Sequence, residues 1–491
     1  MMEEKLWLKE LSCFKPARQY SGDGYFDLKR FPTEKLREQI RAFLLDQAEQ
    51  YSCVTMAKDR RWVKELSEFY SRYYPTMHDI QEIPLAEQQN KFRKFLLSKD
   101  EQPFRQRVDA LGHPFLQTRR SIRLMEKWMD YAHDHALPEE EKDIWHLDRF
   151  SFPIHQSAVR SFRTISFKKI KNVQMKEEIK KACFLRLHYG SVMAVCHMKS
   201  EGTFFANYLM DHHSEIASLT ELTREVLEDY FAYTRTDKNA RKIGAKSLAY
   251  LQGLLTEVEN ISGAPLSKLI ISSDYPKEPI RLFRSFSKED LKKIHKAYED
   301  LPEQYTRALV VHELLGTRIS DTLTLRQDCL SKRDGAWFIR IDQPKTRASY
   351  SKPINEKIAL LIQAAIKYTT EKFGKREYVF VRETNPDMPM QYNALAGAMR
   401  RAFYKNDVRD ENGKRIGTLT HLFRHTYGQR LTELDVDDIV ISKLLGHRSP
   451  SPVRYYRKMS SKAMAEQTKN LREQMDKKLE EIIKEWDDGK V

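Results

Sequence analysis

Apolar residues at helical spacing recur at a fixed distance along this chain, and that recurrence limits the fold more than any other feature. From Phe26 to Ile83 the period is that of amphipathic helices. Leu36, Ile40, Phe43 and Leu44 share one face, and Trp62, Leu66, Phe69 and Tyr73 share another. Leu36, Ile40, Leu66, Phe69, Ile80 and Ile83 then fall opposite Met175, Ile179, Phe205, Tyr208, Leu219 and Leu222, 139 residues further on, without a gap. The pattern reads as a tandem pair of related helical domains, or as two independent amphipathic regions whose periods coincide.

The chain has 491 residues, room for about three domains that each bury a core. Its net charge of +15 favours a polyanionic partner, nucleic acid first, over a generically basic protein. Cys13, Cys53, Cys183, Cys196 and Cys329 are odd in number and scattered, without a CxxC pair, and read as buried thiols in a reducing cytoplasm. Met1 to Leu11 lacks the apolar stretch of a signal peptide, and no run approaches the roughly 20 apolar residues of a membrane span. The expectation is a soluble cytoplasmic protein.

The organisation expected is a helical domain over 1–150, a second over 151–275, a mixed domain over 276–460 and a final charged helix over 461–491. Within the first, Phe115 to His135 reads as a helix, with Leu124, Trp128 and Tyr131 on its apolar side. Its Arg119, Arg120 and Arg123 suit a phosphate backbone or, as in most such runs, a solvated face. Past a proline-bearing boundary near Ile271 to Phe286, Ser287-Lys288-Glu289-Asp290 resembles a capping box. Glu303 to Leu315 is an apolar helix closed by Gly316, with Ser320 placed to cap the next helix and Arg318 pinned between the two. Asp334-Gly335 marks a hairpin turn. Ala336 to Ile341 and Tyr350 to Ile354 pair as strands, with Lys345, Thr346 and Arg347 in the turn between them.

The chemistry concentrates between Thr420 and Arg457. His421, Arg424 and His425 are spaced i, i+3 and i+4, so a helix projects them from one face. Asp437 to Leu445 has the apolar spacing of a short helix that ends at Gly446, which puts His447 at its exit. Tyr455 and Tyr456 follow, flanked by Arg454 and Arg457. Together these form an anionic-ligand site with a nucleophile in it.

These residues resemble the tyrosine recombinase (phage integrase) family: Arg318 within Leu315-Gly316-Thr317-Arg318-Ile319-Ser320, Lys345 on a hairpin, His421-x-x-Arg424-His425, Leu445-Gly446-His447, and a tyrosine nine residues beyond that histidine. The resemblance covers roughly Ser287 to Met459 and keeps the order of the elements. It implies a mainly α fold with a small antiparallel β-sheet, in which helical DNA-binding domains precede a mixed α/β catalytic domain. It also implies a C-shaped clamp on DNA whose core-binding part is the second helical region, and a final helix that docks on the next protomer of a tetramer.

By the same resemblance, Arg318, Lys345, His421, Arg424, His447 and Tyr456 are the catalytic residues. Arg318 and Arg424 clamp the non-bridging phosphate oxygens, where charge builds in the transition state. His421 is a proton acceptor or phosphate ligand, Lys345 the general acid and His447 a donor to the phosphate. Tyr456 is the nucleophile of a covalent 3′-phosphotyrosine, favoured over Tyr455 by the family's spacing. Asp321 stands where many members carry glutamate, so an acid remains beside the arginine. The intermediate keeps the energy of the phosphodiester, so neither metal, ATP nor another cofactor is implied. The expected activity is site-specific cleavage and rejoining of double-stranded DNA, for integration, excision or transposition of a mobile element. The alternative is a catalytically inactive DNA-binding relative. A zinc site built on the histidines lacks an accompanying His-Glu-x-x-His or cysteine set.

Overall fold

The structure, a computed structural model, describes residues 4–14, 22–109, 112–238, 240–277, 284–346, 348–447, 449, 451, 453, 473, 475, 477 and 478. The fold is mainly α-helical, with small antiparallel sheets.

The first part opens with strands β1 (Lys5–Trp7) and β2 (Tyr25–Asp27), paired antiparallel. Helices α1 (Glu34–Gln50) and α2 (Cys53–Tyr73), a single 3-10 turn (Ile80–Glu82) and α3 (Leu85–Leu97) follow. Strands β3 (Phe104–Val108) and β4 (Pro114–Thr118) then form a ribbon before α4 (Arg120–Asp134). The second part repeats the plan with β5 (Ile144–His146), β6 (Thr164–Ser166), α5 (Val173–Leu187), α6 (Val192–His212), a 3-10 turn (Leu219–Glu221), α7 (Arg224–Thr236) and α8 (Ala245–Ser262).

The correspondence runs to single residues. Both strands, the second and third helices and the 3-10 turn begin and end 139 residues apart in the two units. Helix caps recur with them. Thr33 and Asn172 accept from the backbone N–H groups of Leu36 and Met175, and Ser52 and Ser191 do the same at the second helices. Asp79 with Glu82, and Ser218 with Glu221, close matching capping boxes. Each unit has its own apolar core: Leu36, Ile40, Leu66 and Phe69 lie in one, Met175, Ile179, Phe205 and Tyr208 in the other. The second core reaches back to Trp145 and Leu147, ahead of residue 151. Arg149, bonded to Asp46, and Arg163, donating to the Gln50 carbonyl at 2.8 Å, join the units.

Two expectations for Phe115 to His135 need correction. Helix α4 starts only at Arg120, because Pro114 to Thr118 pairs with β3 instead. Its first arginines line neither a phosphate backbone nor a solvated face. Arg119, 3% exposed, donates to Glu65 at 2.6 and 3.0 Å and to Glu101 at 2.8 Å, and Arg120 grips Asp59 with two bonds of 2.7 and 3.0 Å. These pairs tie the base of the ribbon to α2.

The third part holds α9 (Lys288–Ala297), α10 (Glu303–Leu315), α11 (Ile319–Leu323), the three-stranded antiparallel sheet β7 (Leu330–Arg333), β8 (Ala336–Gln343) and β9 (Ala348–Ile354), then α12 (Glu356–Phe373). A small pair, β10 (Val381–Arg382) and β11 (Asn385–Pro389), precedes α13 (Tyr392–Lys405), α14 (Thr420–Glu433) and α15 (Asp438–Leu445). Ser287 caps α9 through a capping box with Asp290. The β5–β6 loop of the second unit docks here, with Val159 in the third core and Arg160 over the Tyr392 ring at 4.1 Å. Cys183 and Cys329 are buried, which pushes both thiols up, Cys329 to about 12. No described helix is long and apolar enough to cross a membrane. Of the expected final helix, Glu473, Met475, Lys477 and Lys478 are described and helical.

Candidate active site

Helix α10 closes at Gly316, where φ is +60° and a Cβ would meet the Tyr427 ring at 2.3 Å, so both backbone and space demand glycine. Two residues on, Arg318 stands at the N-cap of α11 without a capping side-chain bond. Ser320 does not cap this helix, contrary to expectation. It already lies in the first turn, and its hydroxyl donates to Asp321 Oδ1 at 3.0 Å. Asp321 is fully buried, with Oδ2 3.6 Å from Arg318 Nη1. Burial raises the Asp321 carboxyl above its usual range, and Arg318 opposes that shift. The acid thus lies within ion-pair range of the guanidinium.

Arg424 turns into the protein from α14 and is 2% exposed. Its Nη1 donates to the Gly316 carbonyl at 3.0 Å and its Nη2 to the Leu445 carbonyl at 2.8 Å. Nη2 also lies 2.7 Å from His447 Nε2. A guanidinium has no acceptor, so that imidazole nitrogen must accept and the proton of His447 sits on Nδ1. Burial, then Arg424 and Arg318, hold His447 down to about 4.

A second cation repeats this bracket one residue earlier. Lys352, 3% exposed on β9, donates to the carbonyls of Leu315 and Leu444, the latter at 3.2 Å. Its ammonium lies 5.0 Å from the centre of the Tyr427 ring. Lys352 and Arg424 therefore clip the same two helix exits, those of α10 and α15, at consecutive carbonyls. Burial, and then Arg424, bring Lys352 down to about 7.

The β8–β9 hairpin is anchored to the same corner. Gln343 donates to the Gly446 carbonyl at 3.1 Å and accepts from the Thr346 hydroxyl at 2.9 Å, which holds the turn that carries the exposed Lys345. Gly446 has φ +65°, and a Cβ there would strike Tyr350 and Gln343 at 2.4 and 2.6 Å. His421 and His425 share one side of α14, with ring centres 4.3 Å apart. Partial enclosure lowers His421 to about 4, helped by His425, Arg424, Arg318 and Lys345. Two imidazoles, a guanidinium pair and a lysine-bearing turn thus converge around helix exits.

Residues 284–463 match the phage integrase family. The site lies inside that match. This segment is a phage integrase family domain. Across more of its length the chain is similar to transposase B from transposon Tn554 of Staphylococcus aureus (strain Mu50 / ATCC 700699), 25% identical over 406 residues, 80% of this chain and 64% of that protein. Transposase B from transposon PsiTn554 of Staphylococcus aureus is 23% identical over 441 residues, 87% of this chain and 69% of its own. The chain thus spans 64% of the length of the first of these relatives. Among solved structures, XerH site-specific recombinase bound to difH substrate covers 62% of this chain and 91% of its own, with 15% identity and a TM-score of 0.42. A lambda integrase tetramer bound to a Holliday junction covers 73% and 95%, with 16% identity and a TM-score of 0.43.

In the integrase domain, Arg424 and His447 are in direct contact, and Arg318 and Lys345 are close enough to lower the His421 imidazole. Arg424 departs from the expected common face by pointing inward while the two histidines stay outside. Tyr455 and Tyr456 lie outside the described residues. No group of three or more His, Cys, Asp or Glu side chains that would hold a metal ion occurs among the described residues.

Sequence reading missed two residues of this domain. His312, fully buried on α10, donates from Nε2 to the Thr420 carbonyl at 2.9 Å and meets the Thr322 hydroxyl at 3.2 Å, so it joins α10 to α11 and to the start of α14. Burial keeps it neutral, at about 4. Nothing local to an apolar helix marks such a histidine. Lys352 did carry a signal: in a strand, Tyr350, Lys352 and Ile354 share one side, and Tyr350 and Ile354 pack on the core.

Proposed function

We propose that this chain is a tyrosine-type site-specific recombinase that cleaves and rejoins double-stranded DNA through a covalent 3′-phosphotyrosine, in the integration, excision or transposition of a mobile element. The observation that carries the reading is the seat of Arg424. Carbonyls at two helix exits hold its guanidinium in place, with Arg318 and the Nδ1–H of His447 beside it. Donors fixed in this way need no reorganisation when charge develops on a phosphate oxygen.

Arg318, Lys345, His421, Arg424, His447 and Tyr456 take the catalytic roles. The Tyr456 phenolate oxygen attacks phosphorus, the P–O5′ bond breaks, and Lys345 protonates the leaving oxygen. His421, held neutral near pH 7 by its enclosure and cationic neighbours, is able to accept the phenolic proton. Religation reverses these steps. Residues 276–460 form the catalytic domain, and the second helical unit the core-binding one. The enzyme acts in the cytoplasm as a tetramer on DNA, with the last helix docking between protomers.

The test uses duplex DNA from the ends of the mobile element, nicked just past the cleavage site so that religation fails, in EDTA. Wild type, Tyr456→Phe and Tyr455→Phe are compared on denaturing gels. A covalent adduct lost only in Tyr456→Phe is expected. Adduct loss only in Tyr455→Phe moves the nucleophile, and tight binding without any adduct returns the chain to a DNA-binding role.

A further inference from the structure

The two helical units match at 139 residues until their third helices end, and then they differ. Between α7 and α8 the second unit needs only residues 237–244, whereas residues 98–119 connect α3 to α4 in the first. The extra length is the β3–β4 ribbon. Because the second unit closes its four-helix core without one, the ribbon is not required to build such a unit.

Nor does the ribbon pack like a core element. All of β3 is exposed, as are Pro114, Phe115 and Leu116 of β4, while Gln117 and Thr118 are half-buried. Cross-strand pairing places Arg105 opposite Gln117 and Arg107 opposite Phe115 on one face. Arg107 Nε donates to Gln117 Oε1 at 3.3 Å, which aligns a guanidinium and an amide on that face. Neither strand contains an acid. Asp109, in the turn, is engaged by the His113 backbone N–H at 3.0 Å and faces its ring at 3.3 Å. Arg119, at the base, is enclosed by carboxylates, so Arg105 and Arg107 are the arginines that project.

The far end of the ribbon has a fixed neighbour. Gly112 lies against Tyr404 on α13 of the integrase domain, where a Cβ would fall 2.6 Å from the phenolic oxygen. The ribbon therefore spans from the first unit to the integrase domain. Strands of five residues run about 17 Å, and a two-stranded ribbon fits a major groove about 12 Å wide.

We propose that the β3–β4 ribbon is a DNA-contacting arm, its Arg105–Arg107–Gln117 face lying in a groove of the duplex while its tip rests on Tyr404. The occupant follows from charge: an arginine-bearing ribbon whose strands carry no acid, on a chain of net charge +15, complements a polyanion. This inference rests on the reading of the chain as a DNA recombinase.

The test uses the full chain and a short fluorescein-labelled mixed-sequence duplex, with affinity measured across a salt series. Arg105→Ala/Arg107→Ala is expected to reduce the slope of log affinity against log salt by about 2, near 0.9 for each phosphate that is no longer neutralised. A second variant joins Pro103 to Arg119 through a short glycine-serine link, which keeps the Arg119 pairs, and its melting temperature reports whether the first unit still folds. It should show the same reduction. A benzophenone amino acid at Gln117 should crosslink to the duplex. A wild-type slope in both variants overturns the arm, whether the crosslinker then captures a second copy of this chain or nothing. The nicked-DNA assay separates the two claims. Adduct formation with a wild-type slope removes the arm alone. A reduced slope without adduct in the parent chain keeps the arm and removes the recombinase reading.

Discussion

The base of the ribbon and the integrase site each bury an arginine almost completely, and they hold it in opposite ways. Arg119 is surrounded by Glu65 and Glu101, with Arg120 on Asp59 next to it. The bonds described for Arg424 run to the Gly316 and Leu445 carbonyls and to a neutral imidazole, while Asp321 lies nearer to Arg318. Carboxylates cancel a guanidinium and make it a structural clamp. Carbonyls orient it and leave its formal charge intact, which suits a site that must receive a phosphate.

The largest effect expected from this contrast is on stability. Arg119→Met leaves Glu65 and Glu101 without their partner and should cost about 3–5 kcal/mol, read as a lower denaturant midpoint. A decrease of less than about 1 kcal/mol would mean that the pairs are weak and the contrast false. Next, Arg424→Met should slow adduct formation on nicked DNA by about 10²–10³-fold, the scale for removing one preorganised donor, while DNA affinity changes little. Unchanged adduct formation would make Arg424 another structural clamp.

Lys352→Met tests the second buried cation at the same helix exits. It leaves the Leu315 and Leu444 carbonyls without their ammonium donor, a cost of about 1–3 kcal/mol, and should slow adduct formation by loosening both helix exits. If stability falls and the adduct rate per folded molecule does not, Lys352 holds the fold and not the site. A separate effect concerns pH. His312, His421 and His447 sit at about 4 when folded, against 6.5 ordinarily, so the unfolded chain takes up protons first as pH falls. Their contribution is present in full above 6.5 and is lost as pH drops from there towards 4. Melting temperature should decline over that window, and His312→Gln should flatten part of the decline.

Much of this architecture was legible locally. Apolar spacing located α10 and α15, and glycines at 316 and 446 marked two helix exits, because a left-handed cap leaves a residue-level signature. The 139-residue recurrence was visible in six apolar pairs, and the structure extends it to strands, caps and turns. The ribbon was not visible, since Phe115 and Leu116 continue the apolar spacing of α4 and nothing nearby marks Pro114 to Thr118 as a strand.

Sequence alone supplied a candidate set of residues and their order, together with helix exits such as Gly316 and Gly446, since both depend on neighbours a few positions apart. Which groups each buried cation meets depends on long-range packing. Arg119 meets a carboxylate 54 residues away, Arg424 reaches a carbonyl 108 residues away, and Lys352 reaches one 92 residues away. Partners at such separations leave no periodic trace, because burial and long-range packing, not local propensity, select them.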